Sequence, residues 1–89
     1  MTMYQNEQLT LAKMRTGQTG IVVGVLGGRG LIQRLEALGI RPGKRVTKLS
    51  ATLFRGPVTL RVDNTQLAVG FGMAMRIIVE ADKYLPRAS

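Results

Sequence analysis

Residues 28–33 read Gly28-Arg29-Gly30-Leu31-Ile32-Gln33, the stretch of this chain nearest to a nucleotide-binding signature. A glycine-rich loop between a strand and a helix can cradle a phosphate on backbone N–H groups. Here Gln33 fills the third glycine position, and no acid stands about twenty residues further on to hold a ribose hydroxyl. The pair Gly43-Lys44 is followed by Arg45, where a phosphate-binding P-loop needs Ser or Thr. The glycines of the first segment are better explained as a tight chain reversal onto a helix.

Metal and acid–base chemistry have little to work with. The chain contains no His and no Cys, so the usual ligands of zinc, copper and non-haem iron are missing. Its five carboxylates, Glu7, Glu36, Asp63, Glu80 and Asp82, are scattered apart from the last two. A hard cation needs several converging oxygens, and this spacing suggests none. Without a His base or a Cys nucleophile, and with Ser50 and Ser89 lacking an adjacent base, the inventory argues against an enzyme. No cofactor and no tight iron site are expected. Phe54 beside Arg55 could stack a nucleic-acid base, but one aromatic–cation pair is a weak platform. Met73 and Met75 read as gap fillers, and Phe71 as a core residue.

What remains is charge. Thirteen basic and five acidic residues leave a net charge of +8. Between Ala37 and Val62 there is no acid, while Arg41, Lys44, Arg45, Lys48, Arg55 and Arg61 are basic. Such a region favours an anionic partner: nucleic acid, an acidic protein face or an anionic membrane surface. Arg41, Lys44 and Arg45 surround a turn stiffened by Pro42, with no acid beside them to neutralise it. With Arg29 of the glycine loop they are the candidate partner-binding residues.

These residues need a frame. Eighty-nine residues suit one domain, and the absence of Cys fits a reducing compartment. No apolar run approaches the ~20 residues that cross a bilayer, and Met1 to Gln8 do not resemble a signal peptide. A cytoplasmic chain is expected. Residues 1–8 are expected to be frayed, 9–81 to form the domain, and 82–89 to be a loose tail. Thr10 is placed to cap a turn carrying Leu11 and Met14. Ile21–Leu26 reads as a strand with Ile21, Val23 and Val25 on one face and Val22 and Leu26 on the other. Gly24 within it suggests a bend or a close backbone approach. A helix over about residues 30–38 carries Leu31, Leu35 and Leu38 on its core face, leaves Gln33, Glu36 and Ala37 outside, and stops at Gly39. Val46 and Leu49 are three apart, which predicts a bulge in the following strand. Val58, Leu60 and Val62 alternate cleanly, Asp63-Asn64 makes a hairpin turn, and Ile77–Val79 forms a last strand. Residues 70–75 read as one helical turn, and five short strands with one or two helical insertions predict an all-β-dominated, small, partly open antiparallel barrel with the inserted helix near residues 30–38.

The motifs Leu11-x-x-Met14-x-x-Gly17-x-x-Gly20, Leu38-Gly39-Ile40-Arg41-Pro42-Gly43, Gly56-Pro57-Val58 and Leu67-Ala68-Val69-Gly70 together resemble the FeoA family over Leu11 to Val79. The resemblance implies an SH3-like barrel and a cytoplasmic accessory of bacterial ferrous iron uptake. Its implied partner is the cytoplasmic, GTPase-bearing part of the FeoB transporter, with membrane association only through that partner and room for weak homo-oligomerisation. Two positions depart from the pattern. Lys48 stands where an apolar strand residue is expected, and the Ala37–Val62 segment is strongly basic. The second leaves an alternative: a basic SH3-like barrel that binds nucleic acid, although no nucleic-acid partner is expected.

Overall fold

The computed structural model describes residues 6–51 and 55–82. Six strands form one antiparallel sheet: β1 (Asn6–Thr10), β2 (Thr19–Val25), β3 (Arg45–Ala51), β4 (Val58–Val62), β5 (Thr65–Val69) and β6 (Ile77–Asp82). Their spatial order is β1-β6-β2-β3-β4-β5, so the sheet is open, with β1 and β5 at its edges. A 3-10 turn at Leu11–Lys13, a helix α1 (Arg29–Ala37) and one further helical turn α2 (Phe71–Ala74) complete the fold.

Alternation carries the sheet. Val58, Leu60 and Val62 of β4 are buried while Arg61 is exposed, and Ile77, Val79 and Ala81 of β6 are buried in the same rhythm. The bulge expected in β3 is present: its register against β4 shifts between Lys48 and Ser50, leaving Leu49 as the extra residue. A second shift in β2, between Val22 and Gly24, inverts the alternation there. Val22 is buried, Val23 is exposed, and Val25 rejoins the core side opposite Ile77. The expected grouping of Ile21, Val23 and Val25 therefore fails, and Leu26 points to solvent.

Gly24 marks the bend, but the close approach lies at Gly20. A Cβ there would sit 2.5 Å from a Val79 methyl carbon and 2.8 Å from the Ala81 Cα. No side chain larger than hydrogen fits between β2 and β6 at that point.

α1 enters the core through Leu35, which is fully buried, with Leu31 half-buried beside it. Its C-terminus is a Schellman motif. Gly39, at φ +91°, donates to the Glu36 carbonyl (2.9 Å), and the Ile40 N–H donates to the Leu35 carbonyl (2.9 Å). Ile40 is fully buried, taking the place in the core that the spacing assigned to Leu38, which is 43% exposed.

The termini need corrections. Asn6–Gln8 are not frayed; they pair with Glu80–Asp82 as part of β1. Asp82, assigned to a loose tail, lies in β6. Thr10 precedes the 3-10 turn but makes no side-chain cap hydrogen bond. Phe71, the first residue of the short α2, is half-buried and outside the core cluster. Phe54, the proposed stacking residue, lies outside the described residues.

Candidate interaction surface

The turn after α1 is fixed by backbone bonds. Gly43 adopts φ +93° and donates to the Val22 carbonyl (2.8 Å), while the Val22 N–H donates to the Lys44 carbonyl (2.9 Å). The Lys44 N–H closes the turn onto the Arg41 carbonyl (3.1 Å). Gly43 and Lys44 thus continue the β2–β3 pairing, and a rigid seat holds whatever side chains project from the turn.

Arg41 and Arg45 are exposed on that seat. Lys44 is not a free cation. Its Nζ donates to Asp63 Oδ2 at 2.9 Å across to the β4–β5 hairpin. The expectation that no acid neutralises this turn is therefore corrected: β4 folds back along β3, and its hairpin turn delivers Asp63 to Lys44. Asp63 itself sits at φ +56°, a conformation Asp tolerates better than most residues. Arg29 is exposed too, but at the first residue of α1. The axis rises about 12 Å between Arg29 and Ala37, so α1 separates it from the other three. Arg29, Ile32, Gln33 and Glu36 line a shallow open depression along the helix.

Lys48 has a different fate. It is 4% exposed, on the inward face of β3. Its Nζ donates to the carbonyls of Ala12 (2.8 Å) and Met14 (2.6 Å), and its backbone pairs with Gly17 (2.6 Å) and Gln18 (3.0 Å). Burial lowers the ammonium pKa from its ordinary value, because the charged form loses water. Lys48 is thus a structural clamp on the 3-10 turn, and the inward register of β3 explains the lysine that departs from the apolar pattern. Nearby, Gln18 Nε2 donates to the Asp82 carbonyl (2.7 Å), and its Oε1 accepts from the Arg15 N–H (2.9 Å). Nothing in the spacing announces that second clamp.

Of the six cations between Ala37 and Val62, Lys48 is internal and Lys44 is paired, so Arg41, Arg45, Arg55 and Arg61 carry the exposed charge. On the solvent face Arg45 stands opposite Ile21, and Arg61 opposite Thr47 and Gln66. Among the described residues, no group of three or more acidic or other metal-binding side chains converges. The arrangement offers positive charge on a rigid turn; it offers no nucleophile–base pair.

Comparison with known proteins identifies the architecture. The FeoA domain family matches residues 9–81. A protein of Methanocaldococcus jannaschii, named as a candidate Fe(2+) transport protein A, is 34% identical over 74 residues, 83% of this chain and 88% of its own length. The crystal structure of an iron uptake regulatory protein (FeoA) superposes with a TM-score of 0.80 at 33% identity, covering 84% of this chain and 99% of that one. Stenotrophomonas maltophilia FeoA, crystallised with zinc and described as an SH3 domain protein, superposes with a TM-score of 0.68 at 24% identity over 80% of this chain and 88% of its own. The fold is an open, SH3-like antiparallel sheet.

Proposed function

The chain belongs to the FeoA family, and from that premise we propose that it is a non-enzymatic accessory module of ferrous iron uptake in the cytoplasm, binding the cytoplasmic, GTPase-bearing part of a FeoB-type transporter. The relatives' names supply the iron-transport context. The observation that supports binding is the pair of exposed arginines, Arg41 and Arg45, on a turn locked to β2. A pre-ordered cationic turn loses little entropy on docking and steers the domain toward an acidic protein face. Lys44 contributes less than its position in sequence suggests, because Asp63 already holds its charge.

The test is charge reversal at Arg41 and Arg45 together, read as association with the transporter's soluble cytoplasmic domain and as ferrous iron uptake in cells. Association should slow about tenfold at low ionic strength, with folding intact. A folded double variant that binds and supports uptake like the wild type overturns the assignment of this surface. Nucleic-acid binding in its stead would announce itself by a log–log salt slope near one unit per neutralised phosphate.

A further inference from the structure

Four large apolar side chains among the described residues are markedly exposed: Leu26 at 61%, Met75 at 51%, Leu38 at 43% and Val23 at 41%. Two of them, Leu26 and Met75, come together. β2 and β6 pair through Val25 and Ile77, and beyond that pair the Leu26 N–H donates to the Arg76 carbonyl (2.7 Å). Leu26 and the Met75-Arg76 segment therefore form one end of the sheet. Arg76 is exposed there, and Arg29, exposed at the start of α1, lies three residues beyond Leu26. No acid occurs in residues 8–35 or 64–79, which supply the strand ends here; Glu36, further along α1, lines the same depression as Arg29. The nearest carboxylate on the paired strands is Glu80, further along β6 opposite Ile21.

We propose that this end, with Leu26 and Met75 at its tip and Arg29 and Arg76 beside them, docks on an anionic lipid bilayer surface. Two exposed apolar side chains fall well short of the roughly 800 Å² per partner that a standard protein interface buries. They suffice to seat an apolar tip at the headgroup boundary when charge supplies the rest of the attraction. A second copy is a poor occupant, since it would bring Arg29 and Arg76 of both molecules together. The net charge of +8 acts in the same direction, by holding the domain near an anionic surface. The contact is independent of the transporter reading: it would add a direct membrane contact to one made through a partner.

The experiment is co-sedimentation of the purified full chain with phosphatidylcholine vesicles, with and without phosphatidylglycerol. Binding should require phosphatidylglycerol and weaken as salt rises. Leu26→Ser with Met75→Ser should weaken it about tenfold or more, and Arg29→Gln with Arg76→Gln about fivefold per charge removed. Because the chain has no native cysteine, a spin label at Leu26→Cys reads insertion directly, and one at Ser50→Cys serves as the control. The first label should become shielded from aqueous relaxation agents on phosphatidylglycerol vesicles, and the second should not. Wild-type protein that ignores these vesicles at low salt overturns the proposal, as does a Leu26 label that stays fully solvated. If instead the Leu26/Met75 variant loses the transporter's soluble domain while vesicles are never bound, the end is a protein-binding face. Vesicles contain no transporter, so failure here leaves the transporter reading standing, and the converse also holds.

Discussion

Lys48 and the Arg41–Arg45 turn come from the same acid-free stretch, yet they have opposite fates. Lys48 lies on the inward face of β3 and spends its charge on two backbone carbonyls of the 3-10 turn. Arg41 stands on the turn and Arg45 on the solvent face of β3 where it leaves that turn, and both keep their charge for solvent or a partner. The lesson is that a count of cations says little about a surface until strand register is known. One step of register separates a structural cation from an exposed one.

The contrast can be broken from the inside first. Gly20→Ala forces a Cβ against β6 backbone at 2.8 Å or less, which neither strand can relieve by rotating a side chain. We expect a loss of about 2–3 kcal/mol, measured by urea unfolding. The same substitution at Gly24, where a Cβ meets nothing within 4 Å, should be far milder. If both cost the same, the β2–β6 seam is not as close as described.

Lys48→Met comes next. It leaves the Ala12 and Met14 carbonyls without their donor, for an expected loss of about 1.5–3 kcal/mol at neutral pH. It also carries a pH signature. Burial lowers the folded-state pKa of Lys48, so between that lowered value and the ordinary 10.5 the unfolded chain binds a proton that the folded chain does not. Wild-type stability should therefore gain an upward contribution from Lys48 as pH rises through that window, with the penalty on its charged form fully present below it. Lys48→Met should lack that rise. Parallel pH–stability curves for the two proteins would mean that the ammonium is not desolvated.

The smallest stability effect belongs to the outer turn. Asp63→Asn keeps a residue type that tolerates the positive φ and removes the acid that holds Lys44. The pair is largely exposed, so thermal unfolding should report at most about 1 kcal/mol. Association with an acidic partner should instead quicken, since a masked cation is released. This sharpens the contrast: changes inside should be read in stability, changes outside in binding rate.

Much of this was legible in sequence where the signal is local. The Gly39 stop, the alternation of Val58, Leu60 and Val62, and the three-residue spacing of Val46 and Leu49 each state their own geometry. β1 was not legible, because Asn-Glu-Gln-Leu-Thr at a sheet edge needs no apolar alternation. Nor was the phase of β2, where a one-residue bulge after Val22 brings Val25 to the core side. The candidate site was half legible. Exposed Arg41 and Arg45 follow from the turn, but the Lys44–Asp63 pair spans 19 positions and depends on how two hairpins stack. The separation of Arg29 by the length of α1 is likewise a matter of topology.

β6 follows every other strand among the described residues, yet it lies between β1 and β2. Translation therefore delivers the strand that joins β1 to the rest of the sheet after both of its neighbours. At roughly 5–20 residues per second, a ribosome exposes β1 and β2 for several seconds before the strand that joins them emerges. Through that interval Leu11 and Val22 face water, and neither strand has its β6 neighbour to pair with. A nascent chain halted before Ile77 should accordingly be protease-sensitive throughout, and protection should arrive in a single step once Asp82 has cleared the exit tunnel.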